Sequence, residues 1–212
     1  MNNNKSHNRN VILFFGSFNP MHIGHLCLCN YIAETFRQHE VWVVLTADNP
    51  FKQAEHKLPT PVRQKWIQHL LQSYPSLHLC LEELSLPHPH YTYRTLEHLQ
   101  QTHLNCNFSL LIGTDNLIAL PQWKNGDKLI QQYTFFVYPR PGYNTPEWAL
   151  GAKNIHLIDA PVMEVSSTML RHSIKQGANL PYFLHSAENN PAYQQLLEEI
   201  RKLPSPQDAH SE

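Results

Sequence analysis

Residues 11–25 have the sequence Val11-Ile12-Leu13-Phe14-Phe15-Gly16-Ser17-Phe18-Asn19-Pro20-Met21-His22-Ile23-Gly24-His25. The apolar run over residues 11–15 predicts a buried strand, and the glycine turn after it leads into a helical pattern from residue 23. A strand, a tight turn and a helix start together present backbone N–H groups to a phosphate. His22 and His25 add two imidazoles, with Gly24 as the flexible residue between them. The segment therefore indicates chemistry on a polyphosphate and not binding alone.

The rest of the chain alternates apolar runs with helical patterns. Strands are predicted at 11–15, 41–46, 77–81, 108–112, 133–138 and 155–158, and helices at 23–38, 60–74, 94–103, 115–120, 126–132, 167–175 and 191–202. This alternation predicts an α/β fold, a doubly wound, Rossmann-like parallel sheet with helices on both faces and a small helical C-terminal part. We expect one domain over residues 11–203, a disordered or flexible N-terminal extension over residues 1–10 and a frayed tail over residues 204–212.

Residues typical of ligand sites follow most of the predicted strands. They are the turn at Gly16, Asn49-Pro50-Phe51-Lys52, Gly113-Thr114-Asp115, Pro139-Arg140-Pro141-Gly142 and Ser166-Ser167-Thr168. The carboxyl ends of parallel strands share one edge of a sheet, and ligands bind there at a topological switch point. The sequence therefore predicts a single site assembled at that edge.

Composition excludes several classes of protein. Lys and Arg total 16 against 17 Asp and Glu, so no bulk charge favours nucleic acid or an anionic membrane. The 15 histidines are mostly scattered through polar stretches, and the closest pair, His88 and His90, falls in a proline-rich loop, which favours solvated surface over a metal site. The four cysteines form no C-x-x-C pair, and no apolar stretch approaches the length of a membrane span. We expect a cytoplasmic protein, and the sequence leaves both a monomer and a homo-oligomer open.

Two motifs resemble those of a known enzyme superfamily. Gly16-x-Phe18-x-Pro20-x-His22-x-Gly24-His25 is similar to the (H/T)xGH signature of nucleotidyltransferases, and Val165-Ser166-Ser167-Thr168-Met169-Leu170-Arg171 resembles their C-terminal Ser/Thr-x-x-Arg element. Within that superfamily, the chain most resembles the bacterial nicotinate-nucleotide adenylyltransferases. The resemblance implies transfer of the adenylyl group of ATP to nicotinate mononucleotide, with nicotinate adenine dinucleotide and pyrophosphate as products, in NAD biosynthesis.

Such a transfer depends on positioning and on stabilising charge on the phosphate oxygens of ATP. We assign catalysis to His22 and His25, which donate to the α- and β-phosphates most strongly when protonated, and to Arg171, which reaches the leaving pyrophosphate. Ser167 or Thr168 is expected to cap the helix that follows. No carboxylate cluster has metal-ligand spacing, so Mg²⁺ is expected to arrive with ATP, held by phosphates and water. The ATP-binding residues are Gly16, Ser17, Phe18, Gly24, Gly113, Asp115, Ser167 and Thr168, with Asp115 as either a ribose acceptor or a helix cap.

The resemblance also implies how the second substrate is bound. Trp123 stacks on the nicotinate ring, and backbone N–H groups near Tyr91-Thr92 hold its carboxylate. Lys52 is a candidate clamp for the mononucleotide phosphate, with Arg63 and Lys65 as weaker candidates. Asn19 and Arg140 complete the mononucleotide group, although Arg140 could instead cover the adenine or another phosphate.

One position departs from the family pattern. The family has an acidic residue two positions after Tyr-Thr, whereas this chain has Arg94 there. A guanidinium reverses the local charge and removes an acceptor, so a preference for nicotinamide mononucleotide stays open. Another acceptor, such as phosphopantetheine, and a nucleotide sensor without turnover are the remaining alternatives.

Overall fold

The computed structural model describes residues 8–47 and 57–204. Over these residues the strands are β1 (Arg9–Gly16), β2 (His39–Leu45), β3 (Leu77–Cys80), β4 (Cys106–Gly113), β5 (Thr134–Tyr138) and β6 (Ile155–Leu157). The helices are α1 (Ile23–Thr35), α2 (Thr60–Leu71), α3 (Thr92–Thr102), α4 (Thr114–Ala119), α5 (Gly126–Gln132), α6 (Ser167–Lys175) and α7 (Pro191–Lys202). Short 3₁₀ turns at Glu82–Ser85, Leu120–Gln122 and Glu147–Ala149 were not predicted.

The strands form one parallel sheet in the order β3-β2-β1-β4-β5-β6. The chain winds outward in one direction from β1 to β3 and returns to β4 on the other side of β1. The switch point therefore lies between β1 and β4, where a doubly wound sheet opens a crevice beyond its carboxyl ends. Gly16 ends β1 and Gly113 ends β4, so both glycines border this crevice. The predicted fold class is confirmed.

Both faces of the sheet are covered, which explains why the strands are apolar throughout. In β1, Ile12 and Phe14 join a core with residues of α1, α2, α6 and α7, while Val11 and Leu13 join a second core with residues of α3, α4 and α5. All four side chains are 0–5% exposed. Burial on alternate faces at consecutive positions requires a continuous hydrophobic run.

The C-terminal part packs behind the sheet. Leu196, Leu197 and Ile200 of α7 are buried in the same core as α1 and α2. The segment before α7 also contacts the first motif, because the carbonyl oxygen of Phe183 accepts the backbone N–H of Ile23 at 2.8 Å. Residues 178–204 thus support the start of α1 from behind.

Two boundaries differ from the sequence predictions. β1 begins at Arg9, whose backbone N–H donates to Asn105 at 2.8 Å and whose side chain pairs with Glu40, so the predicted extension over residues 1–10 is too long. Lys52 and the tail beyond residue 204 lie outside the described residues, as do residues 1–7. Within the described ranges, no helix combines the length and apolarity that a bilayer span needs.

Candidate active site

A cavity of about 600 Å³ opens at the carboxyl ends of β1 and β4. Both sequence motifs contribute residues to it, although the two motifs lie far apart in the sequence. The predicted site residues that line it are Gly16, Ser17, Phe18, His22, Gly24, His25, Tyr91, Thr92, Gly113, Asp115, Trp123, Arg140, Ser167 and Thr168. Asn19 and Arg171 do not line the cavity.

His22 and His25 lie against each other at the start of α1. Their ring centroids are 3.8 Å apart with an interplanar angle of 33°. His22 precedes the first helical residue, and its backbone N–H donates to Nδ1 of His25 at 3.2 Å. Because Nδ1 of His25 accepts this bond, the neutral ring carries its proton on Nε2. The fold therefore fixes the tautomer of His25.

The imidazole of His22 is buried, with 5% of the residue exposed. Burial, and to a lesser extent the positive charge of Arg140, lowers the pKa of His22 to about 4. Without substrate His22 is therefore neutral at pH 7, and its protonation beside bound phosphates stays a prediction. Its Nδ1 is buried and makes no hydrogen bond to the described part of the chain.

Phe18 holds His25 from the other side. The centroid of its ring lies 5.2 Å from that of the His25 imidazole and 5.5 Å from that of the Phe14 phenyl ring, and both contacts are edge-on. The ring also rests on Gly16, where an added Cβ would lie 2.7–3.0 Å from its atoms. The backbone of Phe18 has φ +42°, a strained conformation for a residue with a side chain. Gly16 therefore provides the space that lets Phe18 turn under His25.

Gly24 also provides space, not the flexibility expected from the sequence. It lies in the first turn of α1, where a Cβ would stand 2.8 Å from Cγ1 of Val165 and 3.2 Å from the ring of His22. Gly113 has a similar role, because a Cβ there would overlap Oδ1 of Asp115. Both glycines permit side chains of the cavity to approach the backbone closely.

Asp115 forms an ion pair at the mouth of β4 and does not cap a helix. Its Oδ2 is 3.6 Å from Nε of Arg140, and α4 has no side-chain cap. The backbone N–H of Arg140 donates to the hydroxyl of Thr114 at 2.9 Å, which fixes the loop after β5 to the end of β4. Oδ1 of Asp115 is buried and makes no hydrogen bond within residues 8–47 and 57–204. The cap alternative is wrong, and the ribose alternative stays a prediction.

The second motif supports the first one directly. Ser166, not Ser167 or Thr168, caps α6, because its Oγ accepts the backbone N–H of Met169 at 3.2 Å. Ser167 instead donates its hydroxyl to the carbonyl oxygen of Pro20 at 2.9 Å. The start of α6 is thereby joined to the turn that carries His22.

Arg171 is half-buried and contacts the same turn. Its Nη1 donates to the carbonyl oxygen of Asn19 at 2.7 Å, and its Nη2 lies 3.4 Å from Oγ1 of Thr168. Asn19 in turn accepts the backbone N–H of Leu58 through Oδ1 at 2.8 Å. Arg171 and Asn19 thus brace the Phe18–Pro20 turn next to the cavity.

Three of the residues predicted for the second substrate, Tyr91, Thr92 and Trp123, line the cavity from elements outside the two motifs. Tyr91 and Thr92 form the start of α3, which has no side-chain cap, and Trp123 follows the 3₁₀ turn at Leu120–Gln122. Trp123 packs partly against the core and also lines the cavity. Arg94 is exposed, does not line the cavity, and places its guanidinium 5.7 Å from the ring centre of Tyr91. The residue at which this chain departs from the family pattern therefore lies outside the cavity, next to the ring of Tyr91.

Arg63 has a structural role that the sequence did not indicate. It is 1% exposed, and its guanidinium donates to the carbonyl oxygens of residues 17, 46, 47 and 58 and to the hydroxyl of Thr60. These bonds occupy all of its N–H groups, so its assignment as a phosphate clamp is wrong. Lys65 is bound to Gln195 at 2.6 Å on the outer surface. Arg63 instead joins the glycine turn to the end of β2 and the start of α2.

Sequence reasoning also missed three side chains of the cavity wall, two of them buried and one, Tyr138, partly buried. Glu83, His90 and Tyr138 line it, and none belongs to a recognised motif. The sequence analysis expected His88 and His90 to be solvated, but His90 is buried, with 9% of the residue exposed. Burial raises the pKa of Tyr138 to about 12 and that of Glu83 to about 7. What sets Glu83 and His90 apart is that they are polar and yet buried, and the sequence alone does not display this.

A pair of imidazoles, a capped helix start and closely approaching glycines at a Rossmann-like switch point are the features expected of a nucleotidyltransferase site. A sequence model of the cytidylyltransferase-like family matches residues 13–173. A Bacteroides fragilis protein named "Probable nicotinate-nucleotide adenylyltransferase" is 35% identical over 199 residues, 94% of this chain and 96% of that protein. A Porphyromonas gingivalis protein of the same name is 41% identical over 179 residues, 84% and 90% of the two chains. The chain belongs to the nicotinate-nucleotide adenylyltransferase family.

Solved structures support the same fold. The nicotinic acid mononucleotide adenylyltransferase of Plasmodium falciparum, solved in complex with NaAD, superposes with a TM-score of 0.71 at 20% identity. The match covers 91% of this chain and 94% of that one. At this identity the likeness concerns the fold, and the arrangement of strands and crossovers is shared.

Proposed function

We propose that this chain transfers the adenylyl group of ATP to nicotinate mononucleotide and releases pyrophosphate. The observation that carries the proposal is the single cavity in which the His22–His25 pair and the start of α6 face Tyr91, Thr92 and Trp123. One side has donors for a polyphosphate, and the other has an indole and an uncapped helix start. Relatives 35–41% identical carry the name of this activity, which supports the assignment.

The reaction requires one bond to form and one to break. A phosphate oxygen of the mononucleotide attacks the α-phosphorus of ATP, and the bond from that phosphorus to the oxygen bridging to the β-phosphate breaks. The electron pair leaves with pyrophosphate. No side chain needs to form a covalent intermediate, so positioning and charge stabilisation supply the rate.

The chain's own groups fit that demand. Nε2–H of His25 and the neutral ring of His22 are placed to donate to α- and β-phosphate oxygens, and both need only hydrogen bonds for this role. The start of α6 offers backbone N–H groups and the positive end of its helix dipole. Arg140 and Arg171 supply positive charge beside them. Arg171 acts through the Asn19 carbonyl in the present geometry, so its contact with pyrophosphate is a proposal about the bound state.

Mg²⁺ would accompany ATP. Within the described residues, no group of three or more acidic, histidine or cysteine side chains is arranged to hold a metal ion. Asp115 is the cavity's carboxylate nearest the β4 end, and its Oδ2 already faces Arg140. The donor set therefore fits a metal that is held mainly by the triphosphate and water, where it would neutralise charge on the leaving group.

Recognition of the nicotinate carboxylate follows from the start of α3. The N–H groups of Thr92 and Tyr93 precede the first intrahelical bonds, which run from residues 94 and 95 to the carbonyl of Tyr91. Two such donors suit a carboxylate better than an amide, which brings donors of its own. Arg94 lies outside the cavity, so it does not favour the amide. We place the reaction in NAD biosynthesis in the cytoplasm.

The test compares three acceptors. Pyrophosphate release is measured with ATP, Mg²⁺ and nicotinate mononucleotide, nicotinamide mononucleotide or phosphopantetheine, for the wild type and His22→Ala. Strong turnover with the first acceptor only, abolished by the substitution, is expected. A preference for the amide would refute the assignment of the α3 start, and ATP binding without turnover would favour a nucleotide sensor.

A further inference from the structure

Glu83 is a buried carboxylate that the reaction scheme leaves without a role. It lies in the 3₁₀ turn at Glu82–Ser85, between β3 and α3, is 3% exposed and lines the cavity. Burying an acidic side chain is costly unless its oxygens are hydrogen-bonded, and ionised groups in cavities are frequent functional candidates. The partners of this carboxylate therefore indicate its purpose.

One partner belongs to α3. Oε2 of Glu83 accepts the hydroxyl of Thr95 at 2.9 Å, and Thr95 is completely buried. The same hydroxyl lies 3.4 Å from the carbonyl oxygen of Tyr91, and the backbone N–H of Thr95 donates to that carbonyl at 3.2 Å. The carboxylate of Glu83 is thus linked through Thr95 to the carbonyl of Tyr91, in the turn that presents the N–H groups of Thr92 and Tyr93.

The other partner belongs to the end of β2. The backbone N–H of Ala47 hydrogen-bonds the Glu83 carboxylate, and Lys57 is close enough to stabilise its charge. The carbonyl oxygen of Ala47 accepts from Lys57 and from Nη2 of Arg63 at 3.1 Å. Arg63 also donates to the carbonyl oxygen of Ser17 at 2.7 Å. A continuous set of polar contacts therefore runs from the glycine turn to the start of α3.

We propose that Glu83 is a positioning residue for the acceptor mononucleotide, holding the start of α3 in register with the phosphate-binding turn through Thr95 and Ala47. The proposal rests on the proposed function, because it assigns the nicotinate end of the acceptor to that helix start. A carboxylate can accept from Thr95 and Ala47 at once, which explains why an acid occupies this apolar position.

The kinetic test uses three substitutions and a matched control. Glu83→Gln and Thr95→Val each remove part of the contact while conserving shape, and Thr95→Ser retains the hydroxyl. We expect the first two to raise KM for nicotinate mononucleotide about tenfold, the usual effect of losing a hydrogen bond to a charged group. KM for ATP and kcat should stay within about twofold of wild type, and Thr95→Ser should restore wild-type values. The double variant should raise KM by less than the product of the two single effects, because both changes weaken the same Glu83–Thr95 contact.

Glu82→Gln is the control. Glu82 occupies the same 3₁₀ turn, pairs with His98 and His103 on the outer side and does not line the cavity. It should leave both KM values unchanged. Equal losses in Glu82→Gln and Glu83→Gln, or a fall in kcat with both KM values unchanged, would overturn the proposal in favour of a general folding role.

The pH dependence supplies a readout that packing alone would not move. As pH falls through 7, protonation of Glu83 turns an acceptor oxygen into a donor, so KM for the mononucleotide should rise in the wild type and not in Glu83→Gln. Among the described residues, Lys57 and Cys80 interact electrostatically with this carboxylate, and His90 lines the same cavity. They are present in both proteins, as is the substrate phosphate, so the difference between the two profiles isolates Glu83.

Hydrogen exchange separates this inference from the proposed function. Without substrates, the amides of residues 94 and 95, which donate to the Tyr91 carbonyl and close the first turn of α3, should exchange faster in Glu83→Gln and Thr95→Val than in the wild type or Glu82→Gln. Unchanged exchange would refute the positioning role even in an active enzyme. If exchange increases as expected but the wild type makes no dinucleotide from nicotinate mononucleotide, the contact stands and the acceptor assignment is overturned.

Discussion

Gly24→Ala tests whether the first motif depends on space. Alanine is favoured over glycine inside a helix by up to about 1 kcal/mol, so the change should not weaken α1 by itself. Its Cβ, however, would lie 2.8 Å from Cγ1 of Val165 and 3.2 Å from the His22 ring. Both neighbours must shift by a few tenths of an ångström. Because displacement of a catalytic group by about 1 Å costs roughly a hundredfold in rate, a shift of a few tenths of an ångström should lower kcat by about 3- to 10-fold.

The assay is steady-state release of pyrophosphate, with thermal unfolding measured on the same samples. Stability should change by less than about 1 kcal/mol, because the helix gain and the contact costs oppose each other. Val165→Ala provides the matched control. Combined with Gly24→Ala it relieves the 2.8 Å contact but not the one with His22. Because the contact with His22 persists, the double variant should retain the reduced kcat of Gly24→Ala. A Gly24→Ala enzyme with wild-type kcat would refute the reasoning.

Three further predictions concern single side chains. Burial lowers the pKa of His22 in the folded protein from 6.5 to about 4. The unfolded chain therefore binds this proton first, and the free energy of unfolding should fall by about 3 kcal/mol as pH falls from 6.5 towards 4. This loss should be absent in His22→Asn, and equal acid sensitivity of the two proteins in pH-dependent unfolding would contradict the prediction. Trp123→Ala should raise KM for nicotinate mononucleotide about tenfold with KM for ATP unchanged, from the loss of stacking, while Trp123→Phe should recover most of it. Ser166→Ala should lower the unfolding free energy by about 1 kcal/mol through loss of the α6 cap, measured by urea titration; an unchanged midpoint would show that the 3.2 Å bond contributes nothing.

The sheet could be predicted because burial on both faces leaves a strong signal. Residues 11–14 must all be apolar when alternate side chains enter two cores, and the same holds for the central residues of β4 and β5. Glycine turns at the ends of β1 and β4 then place the site at the switch point. These signals are local in sequence, and they require no knowledge of partners.

The contacts that shape the site depend on distant partners, and there the predictions failed. Ser166 caps α6 because the geometry leaves Ser167 facing the carbonyl of Pro20, 147 positions away in sequence. The sequence made Arg63 a weak candidate for a phosphate clamp, but the backbone carbonyls around it form a buried site for its guanidinium. Nothing in the local pattern distinguishes Glu83, which is buried, from Glu82, which pairs with histidines outside the cavity.

A structure of the protein with nicotinate adenine dinucleotide bound would test the central claim most directly. We predict one phosphate of the dinucleotide within hydrogen-bonding distance of His22 and His25, the nicotinate ring on Trp123, and its carboxylate at the backbone N–H groups of Thr92 and Tyr93. A dinucleotide bound in the reverse direction, or with its nicotinate ring outside the cavity, would contradict the account.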